Sequence, residues 1–227
     1  MITLYIANKN YSSWSLRPWL LMKQLGIPFQ ESLQPFIEGS NWVPFRQFSP
    51  NGRVPCLRDG DTVVWDSLAI VEYLAENHPA VWPSGRAART WARCAAAEMH
   101  AGFATLRTEC GMSCGTRVRL NRIGTALQAD IARIHELWNE GLSRFGGPFL
   151  ASEAFTAVDA FYAPVVFRIQ TYGLPTDGAA VGYVQRMLSL PAMREWYATA
   201  LAETWRDGPH EAEVRQYGEV IEDLRAV

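Results

Sequence analysis

Val54-Pro55-Cys56-Leu57-Arg58-Asp59-Gly60-Asp61-Thr62-Val63-Val64-Trp65-Asp66-Ser67 is the stretch from which the architecture can be read. Asp59-Gly60-Asp61 stands between two runs rich in apolar and β-branched residues, a strong hairpin signal. Pro55 has no N–H to give to a ladder, so the first strand begins at an edge or on irregular backbone. Were the Val54–Pro55 bond cis, the turn would present the Val54 N–H and C=O outward, ready to pair with an extended peptide-like ligand. A trans proline closing a loop is the commoner state of such bonds. Asp66-Ser67 then opens a helix over residues 67–77, with Leu68, Val71 and Leu74 on one face. Both residues are good caps, and the free N–H groups of a helix start can also hold a carboxylate.

Working outward, residues 1–7 alternate Ile2, Leu4 and Ile6 with Thr3 and Tyr5, the period of a strand. Leu16, Trp19, Leu20 and Lys23 keep helical spacing over residues 16–25, with Pro18 tolerable in the first turn. Gly26-Ile27-Pro28-Phe29 stops that helix and leads into a second strand over residues 28–34. The order is therefore β-α-β followed by β-β-α. Tyr11-Ser12-Ser13-Trp14-Ser15-Leu16-Arg17 lies where the opening strand gives way to the helix. A serine there is a good cap; equally, its hydroxyl and the helix dipole can stabilise an anion.

Residues 77–85 contain Pro79, Pro83 and Gly85 and read as a linker. Everything beyond Gly85 is predicted helical. Ala88, Trp91, Ala95, Met99, Gly102 and Leu106 form one stripe, and Leu120, Ile123, Leu127, Ile131, Ile134, Trp138 and Phe145 another. Thr156-Ala157-Val158-Asp159 opens a third helix as a capping box, with Pro164 in its interior.

Composition excludes several functions. The net charge is −2, shared evenly between the two parts, with no basic face for nucleic acid and no polybasic arm for a membrane. No apolar stretch approaches the ~20 residues of a membrane span, and no charged segment followed by an apolar run marks export, which points to the cytoplasm. Cys56, Cys94, Cys110 and Cys114 do not make a disulfide scaffold in a chain this long. Cys110 and Cys114 lack the further ligands of a tetrahedral metal site, and His135-Glu136 has Asn139 where a zinc helix needs its second histidine. No metal is expected.

The three junctions (the serine cluster, Val54-Pro55 and Asp66-Ser67) lie as a thioredoxin-like β-α-β-β-α arrangement requires, and the chain resembles a soluble glutathione transferase. Ser12-Ser13-Trp14-Ser15-Leu16-Arg17 resembles the Ser-Ser-Cys-Ser-Trp-Arg motif of the zeta class, whose members isomerise maleylacetoacetate. Asn51-Gly52-Arg53-Val54-Pro55-Cys56-Leu57 is similar to the family's Gly-Lys-Val-Pro segment with its cis proline, and Asp66-Ser67-Leu68-Ala69-Ile70 to its Glu/Asp-Ser-Xaa-Ala-Ile pattern. The resemblance implies an α/β thioredoxin-like domain at residues 1–80 and an all-α helical bundle at residues 86–227 supplying a hydrophobic acceptor-substrate site. It also implies a homodimer.

Carried over by position, the resemblance implies that Val54 pairs with the cysteinyl backbone of glutathione beside Pro55. Asp66 and Ser67 would hold the γ-glutamyl carboxylate, and Arg53 would reach the glycyl end. Ser12 would donate its hydroxyl to the sulfur, with Ser13 and Ser15 as alternatives. Trp14, and His100 with Phe103 on a helix face apart from the core stripe, would border a small-molecule electrophile; for His100, packing within the bundle is the plainer reading. Trp14 replaces the zeta cysteine, which argues against mixed-disulfide chemistry and puts the isomerase activity in question. The expected activity is glutathione transfer, with glutathione-dependent isomerisation or glutathione binding without turnover as alternatives.

Overall fold

A computed structural model describes residues 1–225. β1 (Ile2–Ile6), α1 (Ser13–Gln24), β2 (Gln30–Leu33), α2 (Trp42–Phe45), β3 (Cys56–Asp59), β4 (Thr62–Trp65) and α3 (Ser67–Ala75) make up the thioredoxin-like part. Its sheet has the order β2-β1-β3-β4, with β1 and β2 parallel and the other pairs antiparallel. The hairpin read from Asp59-Gly60-Asp61 is present, Asp59 opposite Thr62. Leu4 faces Leu57 in the register of β1 and β3, and both are fully buried together with Leu16, Leu20 and Ile70 of the covering helices. α1 is buried from Leu16 through Met22, on every side. It is covered by the sheet on one face and by the second domain on another, so from Leu16 to Met22 its sequence is apolar apart from Arg17.

A short 3₁₀ turn (Pro79–Val81) leads to the helical part: α4 (Arg86–Ala101), α5 (Ala104–Glu109), α6 (Thr125–Phe145), α7 (Ala157–Tyr172), α8 (Gly178–Ser189), α9 (Pro191–Ala202) and α10 (Gly208–Tyr217). α7 is its axis, with every residue except Ile169 and Gln170 buried. Its start is fixed by the predicted capping box. Asp159 accepts from Thr156 N–H at 2.9 Å, from Leu150 N–H at 3.0 Å and from the Tyr183 hydroxyl at 3.2 Å.

Two features depart from a purely helical reading of this part. The stripe running from Ala88 to Leu106 belongs to two helices, because the chain breaks at Gly102 and Phe103 takes a left-handed φ of 58° before α5 begins. Two strands are also added, β5 (Thr116–Leu120) and β6 (Gly218–Asp223), which pair antiparallel at the edge of the bundle. Thr116 and Val118 point inward and are buried, whereas Arg117 and Arg119 reach outward to Tyr197 and Glu219.

The domains are clasped through the loop between β1 and α1. Lys9 N–H donates to Glu203 Oε1 at 2.6 Å and Asn10 N–H to Glu203 Oε2 at 3.2 Å. The Lys9 carbonyl accepts from Trp196 Nε1 at 2.8 Å, and the Asn10 carbonyl from Cys114 N–H at 3.1 Å. Glu203 is only 4% exposed, so these bonds are made away from water.

Glu203→Gln removes one acceptor and leaves a buried N–H without a partner, which costs about 1–3 kcal/mol. Urea unfolding is expected to show a lower midpoint at unchanged slope; an unchanged midpoint would mean that the clasp contributes nothing. A second expectation concerns pH. Burial pushes the Asp159 carboxyl up from 3.8 to about 6, against the hydrogen bonds of Leu150, Thr156 and Tyr183. A carboxyl raised on folding stabilises fully below its unfolded pKa and loses that contribution as pH rises through its folded one. The stability of the wild type relative to Asp159→Asn is therefore expected to fall between pH 4 and about pH 7, and parallel pH curves would contradict it.

Candidate functional site

A cleft of about 490 Å³ opens between the two parts. One wall is the start of α1 with the turn before β3; the other is the loop after α5 with α7 and α10. Gly52 shapes the turn: its φ is 61°, and a Cβ there would come within 2.6 Å of the Trp42 ring, so Arg53 and Val54 follow a bend that only glycine accommodates. The Val54–Pro55 bond is cis. Val54 lines the cleft, and its N–H and C=O make no hydrogen bond to another described residue.

Ser12, Ser13 and Trp14 also line the cleft. Ser12 Oγ–H donates to Ser15 Oγ at 2.7 Å, and Ser15 Oγ accepts from Ala7 N–H at 3.3 Å. Ser15 is fully buried beneath the site and does not line it, which separates it from the other two. The Ser13 hydroxyl has no partner among the described residues. Tyr11 borders the cleft too, but its hydroxyl donates to Glu211 Oε1 at 2.6 Å and accepts from Arg225 Nη1 at 3.0 Å. Burial and Glu211 push its pKa up to about 12, so the phenol keeps its proton.

Asp66 and Ser67 stand at the start of α3. Asp66 caps the helix by accepting from Leu68 N–H at 2.8 Å, with its backbone at φ 75°, ψ 136°. Such a conformation costs a non-glycine residue of order 1–3 kcal/mol and gathers at functional sites. Asp66 also faces His100 Nε2 at 3.5 Å, and Ser67 Oγ accepts from Arg17 Nη1 at 3.4 Å. His100 packs edge-on against Trp14 with centroids 5.1 Å apart. Its pKa is lowered by burial, opposed by Asp66 and reinforced by Arg17 and Arg107, so it is held neutral more readily than a free imidazole. Phe103 is 7% exposed within the core and is not brought to the cleft; His100 lies behind Trp14 rather than in the wall.

The helical wall differs from the expected hydrophobic one. It presents Arg107, Arg168 and His210 with Gly111 and Met112, and exposed Glu213. The Arg17 and Arg107 guanidinium carbons lie 4.1 and 4.7 Å from the Trp14 ring centroid. His210 stacks on both Tyr11 and Phe36, bridging the two walls. Cys110 and Cys114 lie buried in and beside the loop after α5, and burial raises both thiols, Cys110 to about 12. Sequence reasoning missed Arg107, Arg168 and His210. The signal for Arg168 was available as one cation in an otherwise apolar helix, whereas His210 follows a Gly-Pro pair with no periodicity.

Residues 11–77 match the family model of the glutathione S-transferase N-terminal domain, and residues 86–199 that of the glutathione S-transferase C-terminal domain. A glutathione S-transferase-like protein OpS6 from Beauveria bassiana is 23% identical over 201 residues, covering 86% of this chain and 90% of its own. A stringent starvation protein A homolog from Pasteurella multocida is 26% identical over 187 residues, 80% of this chain and 82% of its own. The crystal structure of a glutathione transferase homolog from a Burkholderia, with bound glutathione, shares the fold with a TM-score of 0.64 at 23% identity, over 88% of this chain and 97% of that one. Two family models in chain order, on the two parts that enclose the cleft, show that the chain belongs to the glutathione S-transferase family.

Proposed function

We propose that this protein is an active glutathione transferase that stabilises the thiolate of bound glutathione with the Ser12 hydroxyl. The observation that carries the reading is the convergence on one cleft of the Ser12 and Ser13 hydroxyls and the unpaired Val54 backbone; Asp66 and Ser67 are not among the residues that line it. Val54 N–H and C=O suit the cysteinyl backbone of an extended tripeptide. The Ser67 N–H at the start of α3 suits the γ-glutamyl carboxylate, and Asp66 its ammonium. Arg53, exposed on the cleft wall, would take the glycyl carboxylate.

The energetics favour a hydroxyl donor. A free thiol has a pKa of ~8.5, and the thiolate is the nucleophile. Lowering it by about two units takes roughly 2.7 kcal/mol. One hydrogen bond to a charged group supplies about 1.5–3 kcal/mol, and the start of α1 adds about 0.3–1 kcal/mol. Ser15 supports Ser12 in this role. Held by Ala7 N–H, Ser15 Oγ is free to donate to Ser12 Oγ when the hydroxyl pair reverses, and the Ser12 proton is then released towards the sulfur. The acceptor is a small electrophile in the half of the cleft lined by α7 and α10, where positioning next to the sulfur supplies the rest of the rate. A homodimer is part of the reading, as is usual in the family, and sedimentation of the purified chain tests it.

Ultraviolet titration of bound glutathione is expected to show the thiolate forming about one pH unit or more higher in Ser12→Ala than in the wild type. Ser15→Ala should give a smaller shift in the same direction, and Ser13→Ala little. A shift confined to Ser13→Ala would transfer the role to Ser13. The rival reading is glutathione binding without turnover. Calorimetric binding with no conjugation across a panel of electrophiles would establish it, and absence of binding would overturn both.

A further inference from the structure

Arg168 is the least explained charge in the molecule. It projects from α7, the most buried helix, is 4% exposed, and borders the cleft beside Gly111 and Met112. Its Nε donates to the Cys110 carbonyl at 2.7 Å. No described residue gives its two Nη groups a hydrogen bond or an ion pair. Arg107 and Arg17 repel it, and Tyr172, Cys110 and Cys114 beside it keep their protons and carry no charge at neutral pH. Burial pushes its pKa down to about 10, which still leaves it charged at neutral pH.

The surroundings add to the imbalance. Arg107 spends its donors on the carbonyls of Met99, His100 and Gly102 at the end of α4, and Arg17 bonds only to Ser67 Oγ, with a buried Nε left unpartnered. Both lean on the face of Trp14, which attracts a cation without neutralising it. Glu213 is the one carboxylate in the cleft wall among the described residues, and it is exposed on α10. Buried cations are ordinarily paired; a fork of unpaired N–H donors on a cleft wall has the geometry that binds a carboxylate through two parallel bonds.

We propose that the acceptor half of the cleft selects electrophiles carrying a carboxylate, with Arg168 as the residue that receives it. The proposal rests on the reading of the protein as a glutathione transferase and names the substrate class of that site. On the proposed function Arg53 and the start of α3 would take the two carboxylates of glutathione, which leaves Arg168 for the second reactant. With the carboxylate seated on Arg168, the reactive carbon is turned towards Ser12 and the sulfur.

Two related compounds test this, 3,5-dinitrobenzoate and its methyl ester, which match in size and differ in charge. Calorimetric titration of each into the wild-type protein is expected to favour the acid at least tenfold. Arg168→Met should reduce that preference at least tenfold, and Arg168→Lys, which keeps the charge without the fork, should retain part of it. The 4-chloro derivatives report the same preference in kcat/KM. There the sulfur bonds to the chlorine-bearing ring carbon, chloride leaves with the bonding pair, and the thiol proton goes to solvent. Equal binding of acid and ester by the wild type would overturn the proposal, as would a preference that survives Arg168→Met. Should Arg168→Met fail to fold, Arg168→Lys and the wild-type preference at 0.05 and 0.5 M salt decide, a preference insensitive to both counting against it. Weaker glutathione binding by Arg168→Met with the acid preference intact would assign the arginine to the tripeptide instead. Titration of glutathione alone keeps the two readings apart, because the acid and ester are compared without it.

Discussion

The carboxylate of Glu203 carries more of this structure than any other single group. The loop between β1 and α1 must run through the interior to bring Ser12 to the cleft, and its amides therefore need acceptors other than water. Glu203, some 190 residues later in the chain, accepts from Lys9 and Asn10 together. Burial raises its pKa, and the two amide bonds together with Lys9 and Arg206 act in the other direction. Around this point three further bonds tie the loop to the helical domain: Trp196 to the Lys9 carbonyl, Cys114 to the Asn10 carbonyl and Gly115 N–H to Asn10 Oδ1. The Lys9 ammonium lies 5.0 Å from the Trp19 centroid and 5.5 Å from that of Trp196, paired with Glu31.

The consequence is that the hydroxyls and the opposite wall share one framework. The segment that fixes Asn10 continues from Gly111 and Met112, which border the cleft, and Arg168 holds that same segment through the Cys110 carbonyl. Displacing either end moves the other. A reaction between two bound molecules needs their relative position held closely, and a loop tied only within its own domain would leave that position to the domain interface. The tie also explains why α1 is buried all round from Leu16 to Met22: its outer face is an internal surface of the whole chain.

Much of the thioredoxin-like part was legible because its signals are local. An Asp-Gly turn, a period-2 run and a capped helix each report on neighbours a few residues away. The helical part was legible as helices, but not where non-local pairing decides. Thr116-Arg117-Val118-Arg119-Leu120 does alternate, yet its partner strand lies about a hundred residues on, and that strand, Gly218–Asp223, is too acidic to read as half-buried. The break at Phe103 was hidden because the apolar stripe continues across it, with Met99 and Leu106 both fully buried. At the site, the three junction motifs were visible as helix starts and turns. The chemistry of the opposite wall was not, since Arg107, Arg168 and His210 come from three separate elements and meet only in the folded chain.

Trp14 ties these observations together. A thiol in that place would have been a small neighbour to the hydroxyls; the indole is instead a platform with Arg17 and Arg107 on its ring and His100 at its edge. Each cation–π contact contributes of order 0.5–2 kcal/mol. Removing a guanidinium from water costs several kcal/mol per ion; the ring offsets part of that cost and Asp66 favours the charged Arg17, while Arg107 and Arg168 keep their field over the cleft. A carboxylate at position 14 would have neutralised that field and, with it, the attraction for an incoming anion. An uncharged aromatic surface keeps the arginines ordered without cancelling them. On the proposed function the thiolate and a carboxylate on the acceptor would both sit in that field, and the indole would be the residue that lets one cleft hold two anions side by side.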